Sequence, residues 1–325
     1  MGGMGTLPLK PYFRTVSTRI TWRWMIKKLK LKLYRRRLKV YRPAQLVKGW
    51  RGQYVRDVDP RYDPPHKITK SAIGFHPDGS LMFLFLKDVI PQALQNDALV
   101  GLKAMKFKSC DGSNRKELKE ANVFNATLDG YDKPVRVKGR IIGGAGELNY
   151  GFYARSKIDT FIPTRKQRAA FEKVLPILNE MCNVFARRLP KKFMEQNKGF
   201  TDKQTGQFRR VPVEFRLANH TPFSSVAILK SAPSAVHTDG KNGDNFACMT
   251  SIQDPTAPYS GGAFCFVEYG VQIAVRPGDF LIASTPTDWH ANLTRVVGEK
   301  YSVVAYFKQV LANPRLLGNW RMLNS

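Results

Sequence analysis

The sequence predicts an α+β fold: a jelly-roll β core over about residues 205–310, helices packed on its outside, and a basic N-terminal extension. Three observations predict it. Short apolar runs separated by turn signals fill the C-terminal half, the pattern of a barrel or jelly roll. An apolar stripe at helical spacing runs through residues 164–189. Residues 1–51 hold fifteen Lys or Arg and no Asp or Glu.

The elements follow in order. Residues 52–75, with Asp59-Pro-Arg-Tyr-Asp-Pro-Pro, read as a linker or extended segment. The run Ser80–Leu86 reads as a buried strand, and Ile90 through Leu102 as a short helix after Asp88. Gly143-Gly-Ala-Gly146 reads as a loop that ends in aromatics and a base, Tyr153 and Arg155 among them. Thr164 caps the helix of residues 164–189, in which Phe171, Leu175, Leu178, Cys182, Phe185 and Leu189 form the buried stripe and Pro176 kinks or splits it. Residues 191–210 are polar and basic and read as an exposed loop. Val211–Leu217 alternates as a half-buried strand, and Val226–Leu229 and Ala235-Val236 continue the series. Then come Ala263–Val267, Val271–Val275, Phe280–Ile282 and Tyr301–Phe307, with turns at Gly261-Gly262 and Pro277-Gly278-Asp279. Residues 1–75 are thus a basic arm and linker, and residues 76–325 one domain.

The chemistry concentrates in His237-Thr-Asp239, answered by Asp288-Trp289-His290. On a strand, residues i and i+2 point the same way, so His237 and Asp239 project together into one cavity, and His290 joins them from a neighbouring strand. Two imidazoles and one carboxylate on one face of a metal ion leave the opposite face open; that ligand set is the 2-His-1-carboxylate site of mononuclear non-haem Fe(II) proteins. Zinc takes the same residue types, but the open, oxygen-bearing set favours iron.

The triad, with Asn242, Gly261-Gly262, Glu268-Tyr-Gly270 and Arg276-Pro-Gly-Asp279, resembles the 2-oxoglutarate/Fe(II)-dependent dioxygenases, whose core is a double-stranded β-helix, and within them the TET and J-binding-protein branch. The resemblance covers roughly residues 211–308. It implies an enzyme in which His237, Asp239 and His290 hold Fe(II), with 2-oxoglutarate and O2 as co-substrates and ascorbate as a stimulant. A basic residue near the last strand, with a hydroxyl two residues on, would bind the distal carboxylate of 2-oxoglutarate. Lys300 and Ser302 occupy that place, and Arg295 competes for it. The branch oxidises the 5-methyl group of a pyrimidine in DNA, with 5-methylcytosine favoured here. Asn242 would then meet the base or the co-substrate, or simply form the turn in which it sits. Trp289, Tyr259 and Tyr153 are candidates to stack on a base flipped out of methylated double-stranded DNA.

Charge bears on the partner. A formal net charge of +28 over 325 residues attracts polyanions, nucleic acid first and anionic membrane second. In the arm, Lys27–Lys39 is interleaved with aromatics: Trp22, Trp24, Tyr34, Tyr41 and Trp50 flank or interrupt the basic run. It reads as a nucleic-acid-binding arm, a nuclear localisation signal, a mitochondrial presequence, a myristoylated polybasic anchor or a solvated basic face. A nuclear monomer is expected, with the mitochondrion as the other location. No apolar run has the length of a transmembrane span, so a soluble protein is expected. Four cysteines lie far apart without a C-x-x-C pair, which predicts free thiols. Two further readings stay open: a prolyl or lysyl hydroxylase acting on protein, and an inactive nucleic-acid-binding barrel.

Overall fold

The computed structural model describes residues 66–109, 146–151, 153–154, 160–161, 165–201, 206–213, 216–217, 221–232, 234–240, 242, 245–293 and 296–312. The basic arm, the Gly143–Ala145 part of the glycine loop, Cys110, Thr164 and Arg295 lie outside them.

Two sheets face each other. The strands that build them are β1 His66–Ile68, β2 Ala72–Phe75, β3 Leu81–Leu86, β4 Lys108–Ser109 and β5 Gly146–Gly151. A hairpin follows, β6 Gly199–Thr201 and β7 Phe208–Arg210. Then come β8 Ser225–Lys230, β9 Ser234–His237, β10 Ala247–Gln253, β11 Phe264–Phe266, β12 Val271–Ile273, β13 Phe280–Ala283, β14 His290–Asn292 and β15 Lys300–Tyr306. The larger sheet runs β2-β3-β13-β10-β15-β8-β5-β4, and the smaller β1-β12-β11-β14-β9. Within them, β8 to β15 form a double-stranded β-helix. The chain alternates between sheets so that β8, β10, β13 and β15 share one and β9, β11, β12 and β14 the other. Residues 66–75, expected as the end of a linker, instead supply β1 and β2 to the sheet edges.

Alternation along each strand of the larger sheet serves two cores at once. In β3, Leu84 and Leu86 face the helices, while Phe83 and Phe85 face the smaller sheet. In β13 the same division separates Phe280 and Ile282 from Leu281 and Ala283. A sheet covered on both faces needs apolar residues at nearly every position, and these strands have them.

Among the described residues, four helices cover the outer face: α1 Gln92–Ala104, α2 Arg165–Glu172, α3 Leu175–Arg188 and α4 Pro190–Lys198. The helix expected over 164–189, with Pro176 to kink or split it, is split at Lys173-Val174, and Pro176 lies in the first turn of α3, where its missing N–H costs nothing. Phe171, Leu178, Cys182 and Phe185 all lie in the core between helices and sheet, as the stripe requires. Gly101 lets α1 approach α2: a Cβ there would stand 2.3 Å from the Ala170 carbonyl oxygen. Cys182, Cys248 and Cys265 are buried free thiols, and burial pushes Cys182 up to about 12. Among the described residues no helix is long and apolar enough to cross a membrane.

Two further expectations are corrected. The described residues of Val211–Leu217 form no strand: Leu217 N–H donates to the Phe223 carbonyl, and the Arg216 guanidinium donates to the Asn197 carbonyl at 2.7 Å. The described part of residues 191–210 is no exposed loop but α4 and the β6–β7 hairpin.

Candidate active site

His237 closes β9 and His290 opens β14, and the two strands pair antiparallel with these residues directly opposite. Residues opposite each other in an antiparallel pair put their side chains on the same face. The ring centroids are accordingly 4.3 Å apart. A register shift between Ser234 and His237 turns the end of β9. Asp239 lies past the strand end, so the shared-strand geometry expected for it is replaced by a turn. Its N–H donates to the Thr285 carbonyl at 2.9 Å, and its own carbonyl accepts from Asn242 N–H at 2.7 Å. The turn brings Asp239 Oδ1 to 3.6 Å from His237 Nε2 and Oδ2 to 3.7 Å from His290 Nε2. One donor atom from each residue lies within 4.8 Å of the others.

The protonation states suit a metal. His290 Nδ1 is 2.9 Å from the Asp288 carbonyl oxygen; that oxygen only accepts, so Nδ1 carries the hydrogen and Nε2 is left as a donor to a cation. Burial, reinforced by the neighbouring His237, pushes His290 down to about 4, and the ring is therefore neutral near pH 7. Burial alone would raise the Asp239 carboxyl, but His290, His237, the Thr285 hydroxyl and Lys308 outweigh it and hold the group below the usual carboxylate range. A neutral imidazole and an ionised carboxylate are the forms that ligate a first-row divalent ion. The donor set fits Fe(II) held through His237, Asp239 and His290.

His290 is braced from a distance. Asp288, buried, pairs with His76 through Oδ2 and Nε2 at 2.9 Å, and His76 Nδ1 meets Ser80 Oγ at 2.9 Å. The hydrogen bond to Asp288 is the chief reason His76 sits above 6.5. The His76–Asp288 pair fixes the peptide whose carbonyl orients the His290 ring. Sequence reading missed His76, because its partner is 212 positions away and no motif joins them. Partners that orient metal ligands typically carry 10- to 100-fold in affinity. His76→Ala is therefore expected to weaken Fe(II) binding by about tenfold with the fold intact, measured by anaerobic Fe(II) titration alongside a thermal melt. Unchanged affinity would remove His76 from the site.

A second polar group lies between the sheets. On β15, Tyr301, Val303 and Ala305 face the helices, while Val304 packs into the cluster between the sheets. Lys300 and Ser302 alternate with the first set and so share Val304's inward face, each 5% exposed. Lys300 Nζ donates to the Gly262 carbonyl and lies 5.5 Å from the Tyr259 ring. Gly261 and Gly262 both have positive φ, 76° and 60°, a turn that only glycine takes without strain. Lys300 is thus a buried ammonium held by a carbonyl and near a ring face, with Ser302 two residues on along the same strand face.

The other expected residues separate. Asn242 stands next to the triad, buried, with its Oδ1 unpartnered among the described residues and its backbone bridged to Lys308. Tyr259, expected against a base, is buried beside Lys300 with its hydroxyl donating to the Val275 carbonyl at 2.8 Å. Trp289, half-buried, packs on the cluster of Val236, Cys265 and Ala291, the residues that alternate with His237, Phe266 and His290 along β9, β11 and β14. Tyr153 opens the short strand Tyr153–Ala154. Lys308, whose charge acts on Asp239, carried no sequence signal.

The fold thus brings His237, Asp239 and His290 together as a candidate 2-His-1-carboxylate metal site, the ligand set of mononuclear non-haem Fe(II) proteins. No family model matches the chain, and no curated protein matches it. Among solved structures it is similar to NgTET1 in complex with 5mC DNA, at 12% identity and TM-score 0.47, over 76% of this chain and 80% of that one. An oxidoreductase of the 2OG-Fe(II) oxygenase family from Burkholderia pseudomallei matches at 10% identity and TM-score 0.42, over 70% and 85%. A prolyl-4-hydroxylase from Pseudomonas putida matches at 14% identity and TM-score 0.34, over 70% and 92%.

Proposed function

We propose that this chain is a TET/JBP-like dioxygenase dependent on Fe(II) and 2-oxoglutarate, oxidising the 5-methyl group of a pyrimidine in DNA, 5-methylcytosine first. The observation that carries the reading is the convergence of His237, Asp239 and His290 at the β9–β14 pair, with Lys300 and Ser302 turned to the same interior. Bound Fe(II) with O2 and 2-oxoglutarate supplies oxidation of a C–H bond coupled to decarboxylation of the co-substrate. The chain supplies the rest. His237, Asp239 and His290 would hold the metal, Lys300 and Ser302 would seat the distal carboxylate, and the Asn242 Oδ1, unpartnered among the described residues, would accept a hydrogen bond from the substrate. A base methyl inside a duplex reaches such a site when the nucleotide is flipped out, and the +28 charge supports grip on the phosphates. On this reading the enzyme works in the nucleus as a monomer.

The test is incubation of duplex carrying 5-methylcytosine or thymine with Fe(II), 2-oxoglutarate and O2, followed by nucleoside mass spectrometry. Hydroxymethylated nucleoside is expected, with none when 2-oxoglutarate is omitted. Unchanged nucleosides from folded, iron-loaded protein would reject DNA as the substrate. A lysine seat for 2-oxoglutarate also suits a prolyl or lysyl hydroxylase, so a peptide-library arm belongs in the same experiment.

A further inference from the structure

Four large apolar side chains are well exposed among the described residues: Val100, Met194, Phe208 and Val213. Three of them fall within residues 194–213, on α4, β7 and the segment after it. The same stretch is basic. Residues 190–213 carry six Lys or Arg (Lys191, Lys192, Lys198, Lys203, Arg209, Arg210) against Glu195 and Asp202. Glu195 is already paired with Lys192 at 2.9 Å. Lys191, Met194 and Lys198 recur at three- and four-residue spacing and share one face of α4.

The hairpin has two unlike faces. Phe208 pairs with Thr201 and Arg210 with Gly199, and being two apart Phe208 and Arg210 point the same way, both exposed. Gly199 makes room for the aromatic: a Cβ there would lie 2.7 Å from Phe208 Cζ and 2.1 Å from the Arg209 carbonyl oxygen. The other face carries Phe200, buried, whose ring meets Phe307 at 5.8 Å. Phe307 adjoins Lys308, which bridges Asn242 beside the triad. On the α4 side, the Gln196 side chain donates to the Phe246 carbonyl at 2.9 Å and accepts from Phe246 N–H at 3.0 Å. That amide ties α4 to the loop running from Asp239 to β10. An exposed phenyl ring with a cation on the same face is thus anchored to both segments that flank the metal site.

A ring 57% exposed amid cations fits a partner that offers flat apolar faces and negative charge together. A nucleic-acid strand offers both: bases stack on aromatic rings and phosphates pair with guanidinium and ammonium groups. We infer that the β6–β7 hairpin with the exposed face of α4 is the surface that grips the nucleic-acid substrate, Phe208 stacking on a base and Arg210 holding a phosphate. The inference rests on the proposed DNA substrate for its ligand class.

The experiment measures fluorescence anisotropy of labelled single-stranded and duplex oligonucleotides on the full chain, Phe208→Ala, Arg210→Ala and a control, Lys173→Ala, over a series of salt concentrations. Each variant is first shown to melt like the parent. Phe208→Ala is expected to weaken binding by about tenfold without changing the salt slope. Arg210→Ala is expected to weaken it and lower the slope by about one, and Lys173→Ala to leave Kd as it was. Parent-like Kd and slope in both hairpin variants would overturn the proposal, as would a parent chain that binds no oligonucleotide at low salt; a protein partner for this face is then the reading to pursue. DNA binding that depends on the hairpin, without methyl oxidation, removes the proposed reaction and leaves the surface standing. Methyl oxidation with parent-like variants removes the surface alone.

Discussion

Alanine at His237 or Asp239 is expected to cut turnover by about a thousandfold or more while the protein folds and melts as before. The metal's chemistry is worth several kcal/mol, and each 1.36 kcal/mol is about tenfold in rate. Both side chains stand at the ends of backbone that is fixed independently of them. His237 closes a strand paired to β14, and Asp239 sits in a turn held by the Thr285 carbonyl and Asn242 N–H. Neither is in the hydrophobic clusters, so their removal leaves no cavity of the kind that unfolds a domain. Nucleoside mass spectrometry for turnover, anaerobic Fe(II) titration for binding and a thermal melt for the fold separate the effects. Full turnover in either variant would contradict the assignment of the triad.

The triad was legible in the sequence because its signal is local at one end and rests on a repeating pattern at the other. His237 and Asp239 are two apart, and His290 opens one of several short strands that turn signals mark off. Gly278 with φ of 82°, and Asp279 accepting from the Arg276 N–H, make the turn that Pro-Gly-Asp announced. What the sequence hid has specific causes. The periodicity of α4 rests on Phe193 packed inward and on Gln196, a polar residue buried because its amide pairs with the Phe246 backbone. A helix whose inward face is half amide has little hydrophobic period to read. Val211–Leu217 misled in the opposite direction: its alternation is real, yet the Val211 N–H and the Arg216 side chain bond to the end of α4, and the Leu217 N–H to the Phe223 carbonyl, instead of to a strand. His76 and Lys308 reach the site through contacts far apart in sequence, which no window along the chain contains.

Lys300→Met is expected to raise the KM for 2-oxoglutarate by about a hundredfold and to leave Fe(II) binding at the triad unchanged. Methionine keeps most of the stem volume of a residue that is 5% exposed, so the packing between the sheets survives. What is lost is one buried charge, which on the proposed function would face the co-substrate's distal carboxylate, and truncating one partner of such a pair costs about 2–5 kcal/mol. The Gly262 carbonyl, which accepts from Lys300 Nζ, loses its donor as well and offers the carboxylate only repulsion. Lys300→Arg is a sharper control: the guanidinium keeps the charge, but a planar fork does not reproduce the contact of the compact Lys300 ammonium with the Gly262 carbonyl, so a partial loss is expected. Anaerobic titration of the iron-loaded protein with 2-oxoglutarate reads binding directly, apart from turnover. Parent-like binding in Lys300→Met would move the carboxylate seat to another cation, with Arg295 the next to replace.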